Sequence, residues 1–308
     1  MIAGVLARLA AALAWWLACA GVAWAAATCP LPARVLPLAG GTVAYHDAGD
    51  GPSVVLVHGL FADKEQWNAM ACLVAAAGYR VIAPDLPGFG ASQGFPVPIY
   101  RLEMQATLLQ AFLRRLEISR YYVAGNSMGG AIAGMVAARF PDEVTGLAFI
   151  GAPLGVVGWN APLREAIETG INPFIPVTAA QLDLELGLLF VAPPALAAAS
   201  KEALVAPYVR DNLHYVQVWN IVNLYGDVLI ARPPPARRAL IVWGAQDRIY
   251  SVEGASTLAR ALPGSELHVL ADAGHLLHVE HAGTAAGLLV DWLRRSPNIR
   301  VPERPPRW

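Results

Sequence analysis

Charge is scarce in this chain: Asp, Glu, Lys and Arg make up 15% of its 308 residues, against about 25% in an average soluble domain. The 22 basic and 23 acidic side chains nearly cancel, and no run of Lys and Arg interrupts the sequence. That excludes the electrostatic footprint of a nucleic-acid binder. Cysteine is limited to three residues, and Cys19 lies in the first segment, leaving Cys29 and Cys72. In an exported chain those two could pair, but Cys72 falls in the apolar stretch 67–77, where a buried free thiol is expected. Internal repeats and low-complexity linkers are also missing, so the length is spent on one domain, or on one domain carrying an insert.

Apolar residues are abundant, at 56% of the chain, a composition that fits a membrane-associated or lipid-handling protein. Residues 1–28 contain Arg8, then an uncharged Ala-, Leu- and Trp-rich run, then small residues around Ala25. This is the pattern of a secretory signal peptide, so the mature protein is expected to be periplasmic or secreted. The alternative is an uncleaved membrane anchor through residues 2–27, since the run approaches the roughly 20 residues that cross a bilayer.

From residue 35 onward, short apolar runs alternate with helical stretches, the pattern of a mostly parallel α/β sheet. Runs 35–38 and 42–46, joined at Gly40-Gly41, are expected to form an antiparallel edge. Runs 54–57, 80–83, 121–124, 146–150, 239–243 and 266–270 are apolar enough to be covered on both faces. Helices are expected over 64–77, 100–116 and 128–140. Between 152 and 237 the alternation stops, and Pro-punctuated helical stretches at 181–190, 195–205 and 209–222 predict an inserted helical cap suited to walling an apolar pocket.

Two segments match Gly-x-Ser-x-Gly, so context has to separate them. Ser92 stands in a Gly- and Pro-rich loop without a strand before it, which marks a turn residue. Ser127, in Gly125-Asn126-Ser127-Met128-Gly129, follows a strand and opens a helix. That order is the nucleophile elbow: a sharp turn exposes the hydroxyl, and the glycines permit close packing of strand and helix.

A serine hydroxyl needs a base to take its proton and a carboxylate to orient that base. His275, just beyond the last strand and after Gly274, is the expected base. Asp247, in the loop after the preceding strand, is the expected acid, and the order Ser, Asp, His is the one this architecture uses. Asp272 is too near His275 in sequence to approach it properly, and Asp227 belongs to the cap. Backbone N–H donors for an oxyanion are expected at Met128, beside the nucleophile, and at Leu60 after the first parallel strand. His58 reads as shaping that loop. His275, His278 and His281 recur every third residue, yet no second ligand cluster accompanies them, so neither a metal nor a cofactor is expected. His214, Tyr215 and Trp219 of the cap either touch substrate or pack.

Taken together, His58-Gly59, the Asp85 to Ser92 loop, Gly125 to Gly130, Trp243 to Asp247 and Gly274-His275 resemble the α/β-hydrolase superfamily over residues 35–295. The resemblance implies an α/β-hydrolase core at 30–151 and 238–295, with the cap at 152–237 and a Pro- and Arg-rich tail at 296–308. Within the superfamily the chain is similar to bacterial lipases and esterases and to membrane-bound monoacylglycerol lipases. The implied function is hydrolysis of carboxylic esters with an apolar acyl chain through an acyl-enzyme on Ser127. The partner expected is a small ester or lipid, with membrane association as a further expectation and no contact with nucleic acid. The competing reading is a carbon-carbon bond hydrolase of ring-cleavage products, which resembles this chain at Gly-Asn-Ser-Met-Gly-Gly. Those enzymes commonly carry Trp after the Gly-His, where this chain has Leu276. A non-catalytic ligand-binding protein on the same fold is the alternative of another class.

Overall fold

The computed structural model describes residue 29 and residues 31–235 and 238–296. The proposed signal or anchor at 1–28 and the tail from residue 297 lie outside the described residues. Among the described residues no helix is long and apolar enough to cross a membrane.

Eight strands form one sheet: β1 (Ala33–Leu38), β2 (Gly41–Ala48), β3 (Ser53–Val57), β4 (Arg80–Pro84), β5 (Tyr121–Ser127), β6 (Val144–Pro153), β7 (Ala239–Gly244) and β8 (Glu266–Leu270). Their order is β1-β2-β4-β3-β5-β6-β7-β8. β1 and β2 pair antiparallel, as does β2 with β4, and the remaining pairs are parallel. This is the mostly parallel sheet that the apolar runs predicted.

The alternation of side chains splits each central strand between two cores. On β3, Val55 and Val57 enter one cluster, with Leu109, Phe112 and Ile132, while Val54 and Leu56 enter the other, with Trp67, Met70 and Trp292. Helices α2 (Leu102–Arg115) and α3 (Met128–Arg139) supply the first cluster, and α1 (Asn68–Ala76) much of the second. Burying a Val, Leu or Ile on such a strand stabilises by about 1.5–3 kcal/mol each, which is why both faces must be covered.

Between β6 and β7 lie α4 (Ala161–Glu168), α5 (Ala179–Leu189), α6 (Ala198–Arg210), α7 (Asn212–Val222) and the short α8 (Val228–Ala231). After β7 come α9 (Glu253–Ala261), the single turn α10 (Leu277–Glu280) and α11 (Ala282–Arg294). Helix α6 runs past the expected end at 205 with Pro207 inside it, at the loss of one helical hydrogen bond. The expected helix 64–77 begins as a 3-10 turn, Lys64–Trp67, before α1.

Cys72 departs from the sequence expectation. It is half-buried, on the side of α1 away from Met70 and Val74, and forms a disulfide with Cys29 across a Cα–Cα distance of 5.8 Å. The apolar stretch did form a helix, but Cys72 does not lie on its buried face.

Candidate active site

The carboxyl ends of β3, β5, β7 and β8 open on one edge of the sheet, where loops from an open α/β sheet gather functional groups. Ser127 ends β5 and precedes α3 with φ 51° and ψ −121°, a conformation that L side chains rarely adopt. The strain is tolerated because the elbow is tightly enclosed. A Cβ on Gly129 would lie 2.2 Å from the carbonyl oxygen of Val57, and one on Gly130 would lie 2.7 Å from Pro153 Cβ. Ser127 itself is half-buried, where its neighbours Asn126 and Met128 are fully buried.

His275 and Asp247, both buried, meet on the same edge. His275 Nδ1–H donates to Asp247 Oδ2 at 2.8 Å. The other oxygen, Asp247 Oδ1, accepts from the backbone N–H groups of Ile249 at 2.7 Å and Tyr250 at 2.9 Å. Asn160 adds a further tie, donating to the Asp247 carbonyl at 2.7 Å. The carboxylate cannot rotate without losing backbone partners, so the imidazole is held with Nε2 as its free acceptor nitrogen.

The loop after β3 lies against the elbow: a Cβ on Gly59 would approach Ser127 Cβ at 3.5 Å. The N–H of Gly59 is committed to Gln66 Oε1 at 3.1 Å, and Leu60 follows it, then Phe61 with φ 57°. His58 Nε2 accepts from Leu86 N–H at 2.9 Å, so its Nδ1 carries the proton and donates to the Gly59 carbonyl at 2.7 Å. Burial lowers the His58 pKa and keeps the ring neutral, as that pattern of one acceptor and one donor requires. Beneath it, buried Asp85 accepts from Lys64 N–H at 2.6 Å, Lys64 Nζ at 3.1 Å and Ala91 N–H at 2.8 Å.

A chain of amides links these parts. Gln66 Nε2 donates to Asn126 Oδ1 at 3.2 Å, and Asn126 Nδ2 donates to the carbonyls of Ile150 at 3.1 Å and His275 at 3.2 Å. The sequence reading missed Gln66, Asn126 and Asn160. Only Asn126 gave any signal, as the residue before Ser127.

Aromatic residues line the surroundings. Tyr250 lies 5.8 Å from the His275 ring, centroid to centroid, and Trp219 stacks on Trp159 at 5.6 Å and on Phe174 at 5.3 Å. Phe61 packs against Tyr215 at 5.1 Å and Tyr208 at 6.2 Å. Helix α5 is fastened to both loops that carry Asp247 and His275. Arg248 Nη1 donates to the Gly187 carbonyl at 2.7 Å, and Leu276 N–H to the Leu189 carbonyl at 3.2 Å.

The other candidates fall away from this cluster. Ser92 is fully buried, its hydroxyl donating to the Asp85 carbonyl at 2.8 Å and accepting from Ala44 N–H at 3.0 Å. Asp272 and Asp227 are exposed. The three spaced histidines diverge: His275 faces Asp247, His278 stacks on Trp67 at 4.3 Å, and His281 bonds to the Asp272 carbonyl at 2.8 Å. His278 is pushed down to about 3, chiefly by burial and secondarily by His275. His214 Nε2 pairs with the Tyr100 hydroxyl at 3.2 Å.

Residues 54–287 match the model of the alpha/beta hydrolase family, an interval that runs from β3 into α11 and includes the helices between β6 and β7. The chain is an α/β hydrolase. Among its relatives in this family, a 2-hydroxy-6-oxononadienedioate/2-hydroxy-6-oxononatrienedioate hydrolase of Escherichia coli is 29% identical over 260 residues, covering 82% of this chain and 90% of that one. The monoacylglycerol lipase ABHD6 of Bos taurus is 26% identical over 262 residues, 80% of this chain and 76% of its own. In structure the hydrolase is similar to a membrane phospholipase A described as a bacterial virulence factor, at a TM-score of 0.81 and 28% identity, covering 96% and 95% of the two chains.

Proposed function

We propose that this α/β hydrolase is a serine carboxylic ester hydrolase, a lipase or esterase resembling monoacylglycerol lipases, that acts through an acyl-enzyme on Ser127. The observation that carries the reading is the 2.8 Å bond from His275 Nδ1–H to Asp247 Oδ2, made on the sheet edge where Ser127 ends β5. With Nδ1 so engaged, Nε2 is the nitrogen that takes the Ser127 proton as Oγ attacks the ester carbonyl. The tetrahedral oxyanion is stabilised by the N–H groups of Leu60 and of Met128, the first residue of α3, whose N-terminal dipole favours negative charge. His275 returns its proton to the leaving alcohol, and water attacks the acyl-enzyme with the same imidazole as base.

The surroundings favour an apolar acyl chain. The walls are aromatic, and the basic residues among the described part of 154–235 are spent at the surface. Lys201 bonds to Asp183 at 2.7 Å, Arg210 to Asp211 at 2.7 Å, Arg164 lies 4.0 Å from Glu168, and Arg232 is exposed. A dienedioate of the kind in the E. coli relative's name has two carboxylates, for which these helices supply no facing cation.

That relative's similarity nevertheless sustains a second reading, carbon-carbon bond hydrolysis of a ring-cleavage product on the same triad. Incubation with nitrophenyl esters of graded acyl length and with a dienoate separates the two. Ester turnover with a maximum at some chain length is expected, and dienoate turnover with inert esters sinks the lipase reading. Export through residues 1–28 belongs to the same proposal. The Cys29–Cys72 bond supports it, because structural disulfides persist in oxidising compartments. N-terminal sequencing of exported protein distinguishes cleavage from anchoring.

A further inference from the structure

Helix α5 carries an acid on its apolar side. Leu182, Leu186 and Leu189 are buried, and Glu185 stands three residues after Leu182 and four before Leu189, on the same face. Among the described residues its carboxyl has no hydrogen-bond or ion-pair partner, whereas nearby Asp183 has Lys201. The unpartnered acid is half-buried, part of its surface open, yet enclosed by enough protein that burial pushes it up to about 8. Its field reaches Tyr208, whose hydroxyl is held well above its ordinary value, first by burial and then by Glu185.

Two fastenings fix where this acid sits. The Gly187 carbonyl is held by Arg248, next to Asp247, and the Leu189 carbonyl by Leu276, next to His275. On its other side Tyr208 packs on Tyr215 at 4.4 Å and on Phe61 at 6.2 Å, and Phe61 follows Leu60 in the loop after β3. Glu185 therefore stands on the helix fastened to the loops of Asp247 and His275, and Tyr208, the side chain it acts on, packs against the ring that follows Leu60. No step of the proposed hydrolysis uses it.

We infer that Glu185 is a specificity-determining residue that binds a free hydroxyl on the alcohol part of the ester, so that the substrate class is an ester of a polyol head group of the glycerol kind. This rests on the ester-hydrolase reading. A protonated carboxyl offers one donor and one acceptor, and so does a hydroxyl, so the two satisfy each other in a setting that supplies few other polar partners. An anionic head group is disfavoured, since it meets the acid without a balancing cation. An ester without the hydroxyl leaves the carboxyl unsolvated once the substrate has displaced water, the arrangement from which enzymes draw discrimination against analogues lacking a polar group.

The test compares kcat/KM for monooctanoylglycerol and methyl octanoate, measured on the full chain and on Glu185→Leu and Glu185→Gln. The glycerol ester is expected to be preferred by the unsubstituted enzyme. Leucine should reduce that preference by about tenfold, the size of one net hydrogen bond, while glutamine, which keeps a donor and an acceptor, should retain most of it. A preference unchanged by leucine in an enzyme that turns over both esters overturns this inference alone. Absence of any ester turnover by the unsubstituted protein overturns the ester-hydrolase reading and this inference with it. Preference for octanoylcholine over both esters, lost in Glu185→Leu, reassigns the acid to cationic head groups and also overturns it. Melting temperature and fluorophosphonate labelling of Ser127 in each variant show that the site is assembled.

Discussion

Asn126 donates its side-chain amide to the main-chain carbonyl of His275 at 3.2 Å, so the residue before Ser127 holds the loop of His275. The same amide group bonds Ile150, and its oxygen is met by Gln66, which also holds the Gly59 N–H. One fully buried side chain of β5 thus ties β6 to the segments that follow β3 and β8.

Asn126→Ala should therefore weaken catalysis without touching a reacting atom. It strands two buried carbonyls and Gln66 Nε2, at about 1–3 kcal/mol for each group left unsatisfied. A fall in kcat of about 10–100-fold is expected together with a lower melting temperature. Asn126→Ala with wild-type kcat on nitrophenyl esters refutes the positioning role.

The roles proposed for Ser127, His275 and Asp247 have graded consequences. Ser127→Ala or His275→Ala should lower kcat by about 10⁶, and Asp247→Asn by about 10⁴ by analogy with other triads. A fluorophosphonate should label Ser127 and spare Ser92, whose hydroxyl is already bonded to the Asp85 carbonyl and to Ala44 N–H. Peptide mapping of the adduct decides between them.

Glu185 also gives a pH dependence whose sign can be worked out. Its carboxyl titrates near 4.5 when unfolded and at about 8 when folded. Its contribution is fully present below about 4.5 and is lost as pH rises towards 8. Tyr208, facing it from α6, stays protonated across this window because its own value is raised. The melting temperature of the native protein relative to Glu185→Gln should fall from pH 5 to pH 8 and then level off. A difference that stays flat from pH 5 to pH 9 contradicts the burial of this carboxyl.

The Cys29–Cys72 bond closes a segment of 43 residues that includes β1, β2 and β3. A chain-entropy estimate for a loop of this size is about 4 kcal/mol at 25 °C. Cys72→Ser, or reduction with dithiothreitol, should lower the melting temperature by several degrees or more. Equal melting curves with and without reductant speak against the bond.

Gly129→Ala tests the packing of the elbow. Its methyl group would fall 2.2 Å from one carbonyl oxygen of the β3 end and 2.4 Å from the next, both backbone atoms that cannot swing aside. Loss of soluble protein, or a large fall in both stability and kcat, is expected.

Much of this was legible in the sequence, for identifiable reasons. Each of the eight strands fell on an expected run, and the central ones did so because strands buried on both faces leave short apolar segments such as Val54 to Val57; the run 266–270, expected to be covered on both faces, forms an edge strand whose Leu267 and Val269 are exposed. The strand before Ser127 and the helix after it were readable and are there, Ser92 lies buried in a loop, and Asp247 and His275 are in contact as expected. What could not be read depends on direction in space. Nothing in the order of residues says that Gln66 reaches Asn126 across 60 positions, or that Cys72 turns towards Cys29. Glu185 was hidden differently: an acid in a leucine-rich helix reads as a solvated position until the packing of α5 is known. Helices α4 and α8, of eight and four residues, are too short to show a periodic pattern among so many prolines.

The fastening of α5 to Arg248 and Leu276 makes the roof asymmetric. Displacing α5 would pull on the residues adjoining Asp247 and His275, whereas Phe61 meets α6 and α7 through ring contacts with Tyr208 and Tyr215. Under the proposed ester hydrolysis, efforts to change the substrate range should randomise Tyr208, Tyr215 and Phe61 and leave the last turn of α5 intact. Changes there would disturb the chemistry before they altered the choice of substrate.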